Sequence, residues 1–228
     1  MRTLILMDLS GLSSKISICK MKKRIPFVLS GLLIFIAFVF FSYLVHKNIF
    51  DHFDFDTTVR LQDHIPRRLD ASFSAFSLLG SLEVASLILL ITLIIRRKLS
   101  GIIALFVYAA IHVFEIFGKL SVTHTGPPFL FFRYNFQFLF PSSYVQPGYS
   151  YPSGHSARTL FLSTIIGIMV LKQKRLSSIQ KLFIIGFLFL FDLTMVTSRV
   201  YLGEHWTSDV IGGSLLGFSL GLLAAAAL

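Results

Sequence analysis

The sequence is poor in charged residues and has a single cysteine. Only 14% of its 228 residues are charged, 54% are hydrophobic, and the mean hydropathy is +0.76. An ordinary soluble domain carries about 25% charged residues, so the composition excludes that class. The lone cysteine, Cys19, excludes an internal disulfide, a CxxC redox motif and a cysteine-based metal site.

Acidic residues are also scarce, with 11 Asp and Glu against 21 Lys and Arg and a formal net charge of +10. Basic chains often bind nucleic acid. Here the basic residues instead cluster in short segments between apolar runs, and no single basic face is present. This distribution is typical of membrane topology, so we expect membrane lipids as partners and no nucleic acid.

Six apolar stretches approach the length of about 20 residues that crosses a bilayer. They lie at 26–46, 71–95, 101–118, 156–172, 182–198 and 208–228. We therefore predict an all-α, polytopic membrane protein, with six transmembrane helices forming one bundle over residues 26–228. Residues 1–25 are predicted to form a partly disordered cytoplasmic tail. Met21 is an alternative start of the chain.

Three basic segments set the predicted orientation. They lie at 20–24, 96–98 and 172–181, before the first, third and fifth spans. All three share one side of a six-span chain, so the positive-inside rule places them and both termini in the cytoplasm. The chain is short and has no recognisable targeting signal, which favours a prokaryotic inner membrane.

Three polar clusters lie where the predicted outer connections meet the spans. They are the segments 119–129, 150–158 and 197–209. Each has an ordinary explanation when taken alone, because Lys119 suits a snorkelling anchor and Ser153 a helix cap. The stripe of Gly213, Gly217 and Gly221 in the last span predicts close packing against another helix.

The spacing within the clusters favours a site. Pro152-Ser153-Gly154 precedes a long apolar helix, whose first N–H groups would face an anion, with His155 at the rim. His205 and Asp209 are four residues apart on a helical face, so the carboxylate is placed to accept the imidazole Nδ1–H. That pairing leaves Nε2 as a nucleophile or a base.

Arg199 precedes this pair, and the planar fork of an arginine suits phosphate. Together these residues form the parts of an anion-binding acid–base site, with phosphate as the candidate anion. A zinc site built from His155, His205 and Asp209 is the rival. It lacks an HExxH or CxxC context, and the neighbouring Lys119 and Arg199 would repel a dication.

These clusters resemble the signatures of the type 2 phosphatidic acid phosphatase superfamily, which includes lipid phosphate phosphatases, bacterial acid phosphatases and vanadium haloperoxidases. The family pattern has Lys, six residues and Arg-Pro; then Pro-Ser-Gly-His; then Ser-Arg, five residues, His, three residues and Asp. The second signature is complete at residues 152–155. The third is complete from Ser198-Arg199 through His205 to Asp209. The resemblance covers roughly residues 26–228.

The resemblance implies a membrane phosphatase with its active site at the extracytoplasmic end of the bundle. His205 would form a phosphohistidine while Asp209 orients it, and His155 would protonate the leaving oxygen and later activate water. No metal or cofactor is implied. The residues implied to hold the phosphoryl oxygens are Lys119, Ser153, the Gly154 amide and Arg199.

The first signature departs from the family pattern. After Lys119 and six intervening residues the family has an arginine, but this chain has Gly126. Arg133, Arg158 or His124 would have to supply the missing cation. We prefer Arg158, because a cation in the first turn of a span is disfavoured unless it has a role.

Several alternatives remain open at this point. Phosphatidic acid, phosphatidylglycerol phosphate and polyprenyl diphosphate all fit as substrates, and the oligomeric state is not defined. A non-catalytic protein that binds or transports lipid phosphates on the same scaffold is the second hypothesis. Haloperoxidase chemistry with bound vanadate is disfavoured by a membrane-embedded site.

Overall fold

A computed structural model describes residues 2–96, 101–133 and 149–228, and before residue 24 it describes the side chain of residue 22 alone. These residues form α-helices joined by turns, with no strand among them. The helices are α1 (Arg2–His46), α2 (Asp51–His64), α3 (Asp70–Ser77), α4 (Leu82–Arg96), α5 (Gly101–Ser121), α6 (Gly154–Lys172), α7 (Ser178–Tyr201) and α8 (Thr207–Ala227). Short 3-10 turns lie at Arg67–Leu69, Leu78–Gly80 and Phe129–Phe131.

Five straight helical segments of the described residues are long and apolar enough to cross a membrane. They are Arg24–His46, Gly101–Ser121, Gly154–Lys172, Ser178–Tyr201 and Thr207–Ala227. Each overlaps a predicted span, with ends that differ by a few residues. Large apolar side chains such as Phe106 and Phe183 are exposed, as a lipid-facing surface requires. The chain is an integral membrane protein with an all-α fold, as predicted.

The predicted span at 71–95 consists of two helical segments, Arg67–Gly80 and Leu82–Arg96, that meet at 51°. Counted as one broken span, they bring the number to six. The break falls at Gly80-Ser81, where Ser81 is extended and its Oγ accepts the Val84 N–H at 3.3 Å. Because Gly80 leaves the helical ladder, its carbonyl is free to accept the Arg158 Nε–H at 2.9 Å. The bend therefore places the Gly80 carbonyl where it accepts a hydrogen bond from Arg158 on α6.

The first helix passes through the predicted boundary at residue 25 without a break. It starts at Arg2 and includes Pro26. The backbone of the segment predicted as a tail is therefore helical and continuous with the first span. A proline removes only one backbone donor and is tolerated in a helix that neighbouring helices support.

The connection after the first span forms the helix α2. Asp54 on α2 is buried and accepts the Ser208 N–H at 2.7 Å and the Ser208 Oγ–H at 2.6 Å. A carboxylate at the N-terminus of a helix is favoured by the helix dipole and by the unpaired N–H groups there. Asp54 thus fixes the start of α8.

The glycine stripe of α8 packs against α6, as predicted. A Cβ atom on Gly221 would lie 2.7 Å from Thr164 Cβ, and Cβ atoms on Gly213 and Gly217 would overlap the Ser153 and Ala157 carbonyl oxygens. Only glycine permits so close an approach of the two backbones. The N-termini of α6 and α8 are consequently held side by side.

Candidate active site

The three polar clusters meet at one end of the bundle, where α5 and α7 end and α6 and α8 begin. The Ser153 N–H donates to the Asp209 carbonyl at 3.0 Å, and the Ser150 Oγ–H donates to Asp209 Oδ2 at 2.7 Å. The His205 N–H donates to the Arg199 carbonyl at 3.3 Å, and the positive charges of Arg199 and Lys119 act on the His205 imidazole. The structure therefore brings together residues that are almost ninety positions apart in the chain.

His205 and Asp209 form the predicted pair. His205 Nδ1 lies 3.3 Å from Asp209 Oδ2, and since a carboxylate only accepts, the imidazole donates. The same oxygen accepts the Trp206 N–H at 2.9 Å. In the neutral ring, a proton on Nδ1 leaves the lone pair on Nε2.

Burial keeps His205 uncharged. Loss of solvation lowers the pKa of His205 below its ordinary value, and the positive charges of Arg199 and Lys119 lower it further, although Asp209 opposes both effects. An imidazole that is neutral at neutral pH carries the lone pair that a nucleophile needs.

The start of α6 has the features of an anion site. Ser153 is buried and occupies the position before the helix, but its side chain makes no capping bond. Its Oγ accepts the Ser156 Oγ–H at 3.3 Å, which leaves the Ser153 hydroxyl proton for another acceptor. The cap that the sequence suggested is thus not formed, because the hydroxyl is turned to a different partner.

A carboxylate already lies at this anion site. Glu115 Oε1 is 3.2 Å from Lys119 Nζ, and Glu115 Oε2 is 2.9 Å from Arg158 Nη1. A Cβ atom on Gly154 would overlap the same carboxylate. Two predicted phosphate ligands and the start of α6 therefore surround one buried carboxylate group. No sequence motif indicated this contact, although Glu115 lies four residues before Lys119.

The remaining predicted cation is paired in the same way. Arg199 forms an ion pair with Glu204, and both side chains are largely buried. Among the described residues Arg199 Nε has no hydrogen-bond partner. Each predicted phosphate-binding cation is thus balanced by a glutamate.

The structure separates the three candidates for the cation missing at Gly126. Arg133 donates to the Gln62 carbonyl at 2.7 Å and lies over the ring of Tyr201, so it anchors the loop. Arg158 shares Glu115 with Lys119. Of these two arginines, it is Arg158 that lies at the anion site.

His124 contacts the His205–Asp209 pair and not the start of α6. His124 Nδ1 lies 3.0 Å from Asp209 Oδ1, and His124 Nε2 lies 3.5 Å from Asp54 Oδ2. Burial disfavours the charged ring, but the hydrogen bonds to Asp209 and Asp54 outweigh it and raise the pKa of His124 to about 9. No sequence motif joins these residues, which come from three separate segments.

The part of the chain that the structure describes contains no set of ligands for the alternative zinc site. No group of three or more His, Cys, Asp or Glu side chains there is arranged to hold one ion. Asp209, which that alternative needs as a ligand, already accepts bonds on both carboxylate oxygens.

The fold is that of a polytopic helical membrane protein, with buried histidines, carboxylates and cationic side chains gathered at one end of its bundle. A sequence model of the PAP2 superfamily matches residues 87–228, and the chain belongs to this superfamily.

Two curated proteins are similar to parts of the chain. An undecaprenyl-diphosphatase of Sulfolobus acidocaldarius is 39% identical over 93 residues, which is 39% of this chain and 40% of that protein. Phosphatidylglycerophosphatase B of Bacillus subtilis is 35% identical over 78 residues, which is 34% of this chain and 36% of that protein. The chain thus spans about two fifths of the length of these relatives.

Two solved structures share the fold. The first is a transmembrane PAP2-type phosphatidylglycerolphosphate phosphatase from Bacillus subtilis, with a TM-score of 0.67 and 22% identity over 85% of this chain and 93% of that one. The second is Aquifex aeolicus LpxE, with a TM-score of 0.55 and 26% identity over 75% of this chain and 94% of that one. The three proteins share this helical fold.

Proposed function

We propose that the protein is a membrane phosphatase that hydrolyses phosphate monoesters or diphosphates of lipids. The observation that carries this proposal is the His205–Asp209 pair, held beside Lys119, Arg199 and the start of α6. An oriented neutral imidazole next to a cationic pocket is suited to attack a phosphoryl group. The names of the two curated relatives support lipid phosphates and diphosphates as the substrate class.

In the proposed reaction, His205 Nε2 attacks phosphorus and the bond to the leaving oxygen breaks. His155, as an imidazolium, gives its proton to that oxygen. The product is a phosphohistidine on His205, whose Nδ1–H remains bonded to Asp209. His155, now neutral, takes a proton from water, and the water oxygen displaces His205 from phosphorus to release phosphate. Each step transfers one proton and exchanges one bond at phosphorus.

The pocket would hold the phosphoryl oxygens through charge and hydrogen bonds, without a metal ion. Arg158 joins Lys119 in place of the arginine that is missing at Gly126. For the substrate to bind, Glu115 must give up its bonds to these two cations, and Glu204 must give up its bond to Arg199. The remaining proposed ligands are the Ser153 hydroxyl and the Gly154 N–H group.

The proposed location is a prokaryotic inner membrane, with both termini in the cytoplasm and the site on the extracytoplasmic face. The site lies where four helices begin or end, which is the depth of the lipid head groups in a bundle of this length. A lipid phosphate would reach it sideways from the outer leaflet.

The test is phosphate release from purified protein in detergent, with short-chain phosphatidic acid, phosphatidylglycerol phosphate and farnesyl diphosphate as probes. We expect release from at least one probe, and its loss in His205→Gln. The control is His64→Gln, at an exposed position on α2. Full activity in the folded His205→Gln variant would overturn the mechanism.

A protein that binds or transports lipid phosphates without hydrolysing them is the second candidate. Gly126 favours it, because an arginine of the family pattern is missing there. Such a protein would bind the same probes, release no phosphate and carry no phosphohistidine.

A further inference from the structure

His124 is buried between two carboxylates from different helices. Only 4% of the residue is exposed. Its Nδ1–H donates to Asp209 Oδ1 on α8 at 3.0 Å, and its Nε2 lies 3.5 Å from Asp54 Oδ2 on α2. Asp51, also on α2, is the third charged group facing it, at 3.9 Å. Neither ring nitrogen is directed to the pocket of Lys119 and Arg158.

Both partners of His124 are fixed to the first turn of α8. Asp54 accepts two hydrogen bonds from Ser208, the residue before Asp209. The backbone of His124 is held as well, because its carbonyl accepts the Ser150 N–H at 3.1 Å, and the Ser150 hydroxyl donates to Asp209. The contact is therefore built from three segments that hold one another in place.

Two buried carboxylates this close repel each other unless a cation lies between them. An imidazolium can donate one N–H to each, and the raised pKa of His124 indicates that it is charged at neutral pH. Asp54, His124 and Asp209 then carry a net charge of one negative unit, and Asp209 presents its other oxygen to His205.

We propose that His124 is a positioning residue, which fixes Asp209 and offsets its charge so that His205 stays a neutral nucleophile. This inference rests on the proposed function of His205. It gives His124 a role other than binding phosphate. It also gives Asp54 a part in the same positioning of Asp209.

Two variants of this cluster are expected to shift the pKa of His205 in opposite directions. His124→Asn keeps a donor for Asp209 but leaves two uncompensated carboxylates, which raises the pKa of His205. Asp54→Asn keeps acceptors for Ser208 but removes one negative charge, which lowers the pKa of His205. The double variant restores the original net charge.

The experiment measures kcat and KM against pH for the purified full chain with farnesyl diphosphate and short-chain phosphatidic acid. The acid limb of the pH profile of kcat/KM reports the pKa of the essential base in the free enzyme. We expect it to move up by about one pH unit in His124→Asn and down by a similar amount in Asp54→Asn. It should return to the wild-type position in the double variant. His64→Asn should leave it unmoved, and KM should change less than about twofold in all four variants.

A structural role alone would lower the melting temperature and kcat without moving the acid limb, and that result in folded variants would overturn the inference. A direct readout keeps this test separate from the proposed function. The pKa of His205, measured by 15N NMR of labelled histidines, should shift in the same directions whether or not a probe is hydrolysed. An unmoved His205 signal in both single variants overturns the inference. Hydrolysis by His205→Gln, by contrast, overturns the proposed function.

Discussion

Glu115 and Arg158 form an ion pair of 2.9 Å at the start of α6, the place where a phosphoryl group is proposed to bind. Glu115 also pairs with Lys119 at 3.2 Å, so one carboxylate engages two cations of the pocket. A carboxylate and a phosphate present similar oxygen acceptors to such cations. Glu115 thus occupies the place where the phosphoryl group is proposed to bind.

The first prediction concerns the competition between Glu115 and an external anion. Glu115→Gln keeps the shape of the side chain but removes its charge, so Lys119 and Arg158 become free to bind phosphate. We expect the inhibition constants of inorganic phosphate and vanadate to fall by about tenfold. Asp63→Asn, an exposed change on α2, should leave them unchanged. Weaker inhibition in Glu115→Gln would show that Glu115 orients the two cations instead of competing with substrate.

The second prediction separates the roles of two arginines. Arg158→Gln should raise KM by about tenfold to a hundredfold, because a charge-assisted hydrogen bond contributes about 1.5–3 kcal/mol. Arg133→Gln should lower the melting temperature and leave KM nearly unchanged, since Arg133 contacts Gln62, Asp70 and Tyr201. Equal effects of both changes on KM would contradict this assignment.

The third prediction tests whether the cation missing at Gly126 has been relocated to Arg158. A Cβ atom on Gly126 would lie 3.4 Å from Ser150 Cβ, an ordinary contact, so an arginine can be introduced there. If Arg158 already supplies the cation, Gly126→Arg alone should change kcat/KM by less than about threefold. In the Arg158→Gln background the same change should recover part of the lost kcat/KM. A large gain from Gly126→Arg alone would mean that the cation is absent from the wild-type site.

The fourth prediction concerns the contact between α6 and α8 that holds the site together. A Cβ atom on Gly217 would overlap the Ala157 carbonyl, so Gly217→Ala should cost about 1–3 kcal/mol and lower the melting temperature by about 5 °C. Gly186→Ala is the matched control, because no atom lies within 4 Å of a Cβ at that position. Thermal unfolding in detergent measures both. An equal loss in the two variants would contradict the packing argument.

Local patterns in the sequence predicted the features that depend on neighbouring residues. The spans followed from runs of apolar residues, and the His205–Asp209 hydrogen bond followed from a separation of one helical turn. The glycine stripe of α8 likewise predicted a close helix contact. The bend at Gly80-Ser81 had a signal in the glycine and the capping serine, but the length of the apolar run outweighed it.

Contacts between distant segments could not be predicted in the same way. His124 meets Asp54 and Asp209 only because α2, α8 and the connection after α5 converge, and no spacing rule relates these positions. The contact of Glu115 with Arg158 also joins two helices. Both are buried polar contacts, where each charged group needs a partner that the fold supplies. The roles assigned to His155 and to the phosphate ligands stay predictions.

In the proposed mechanism, His205 becomes phosphorylated during hydrolysis of a lipid phosphate. The direct measurement uses a probe labelled with 32P in the phosphate that is transferred, a rapid alkaline quench that preserves phosphohistidine, and mapping of the label by mass spectrometry. We expect label on His205 of the wild type during turnover, none in His205→Gln, and loss of the label when unlabelled probe is added in excess. Hydrolysis of the probe with no label on His205, or with undiminished rate in His205→Gln, would contradict it.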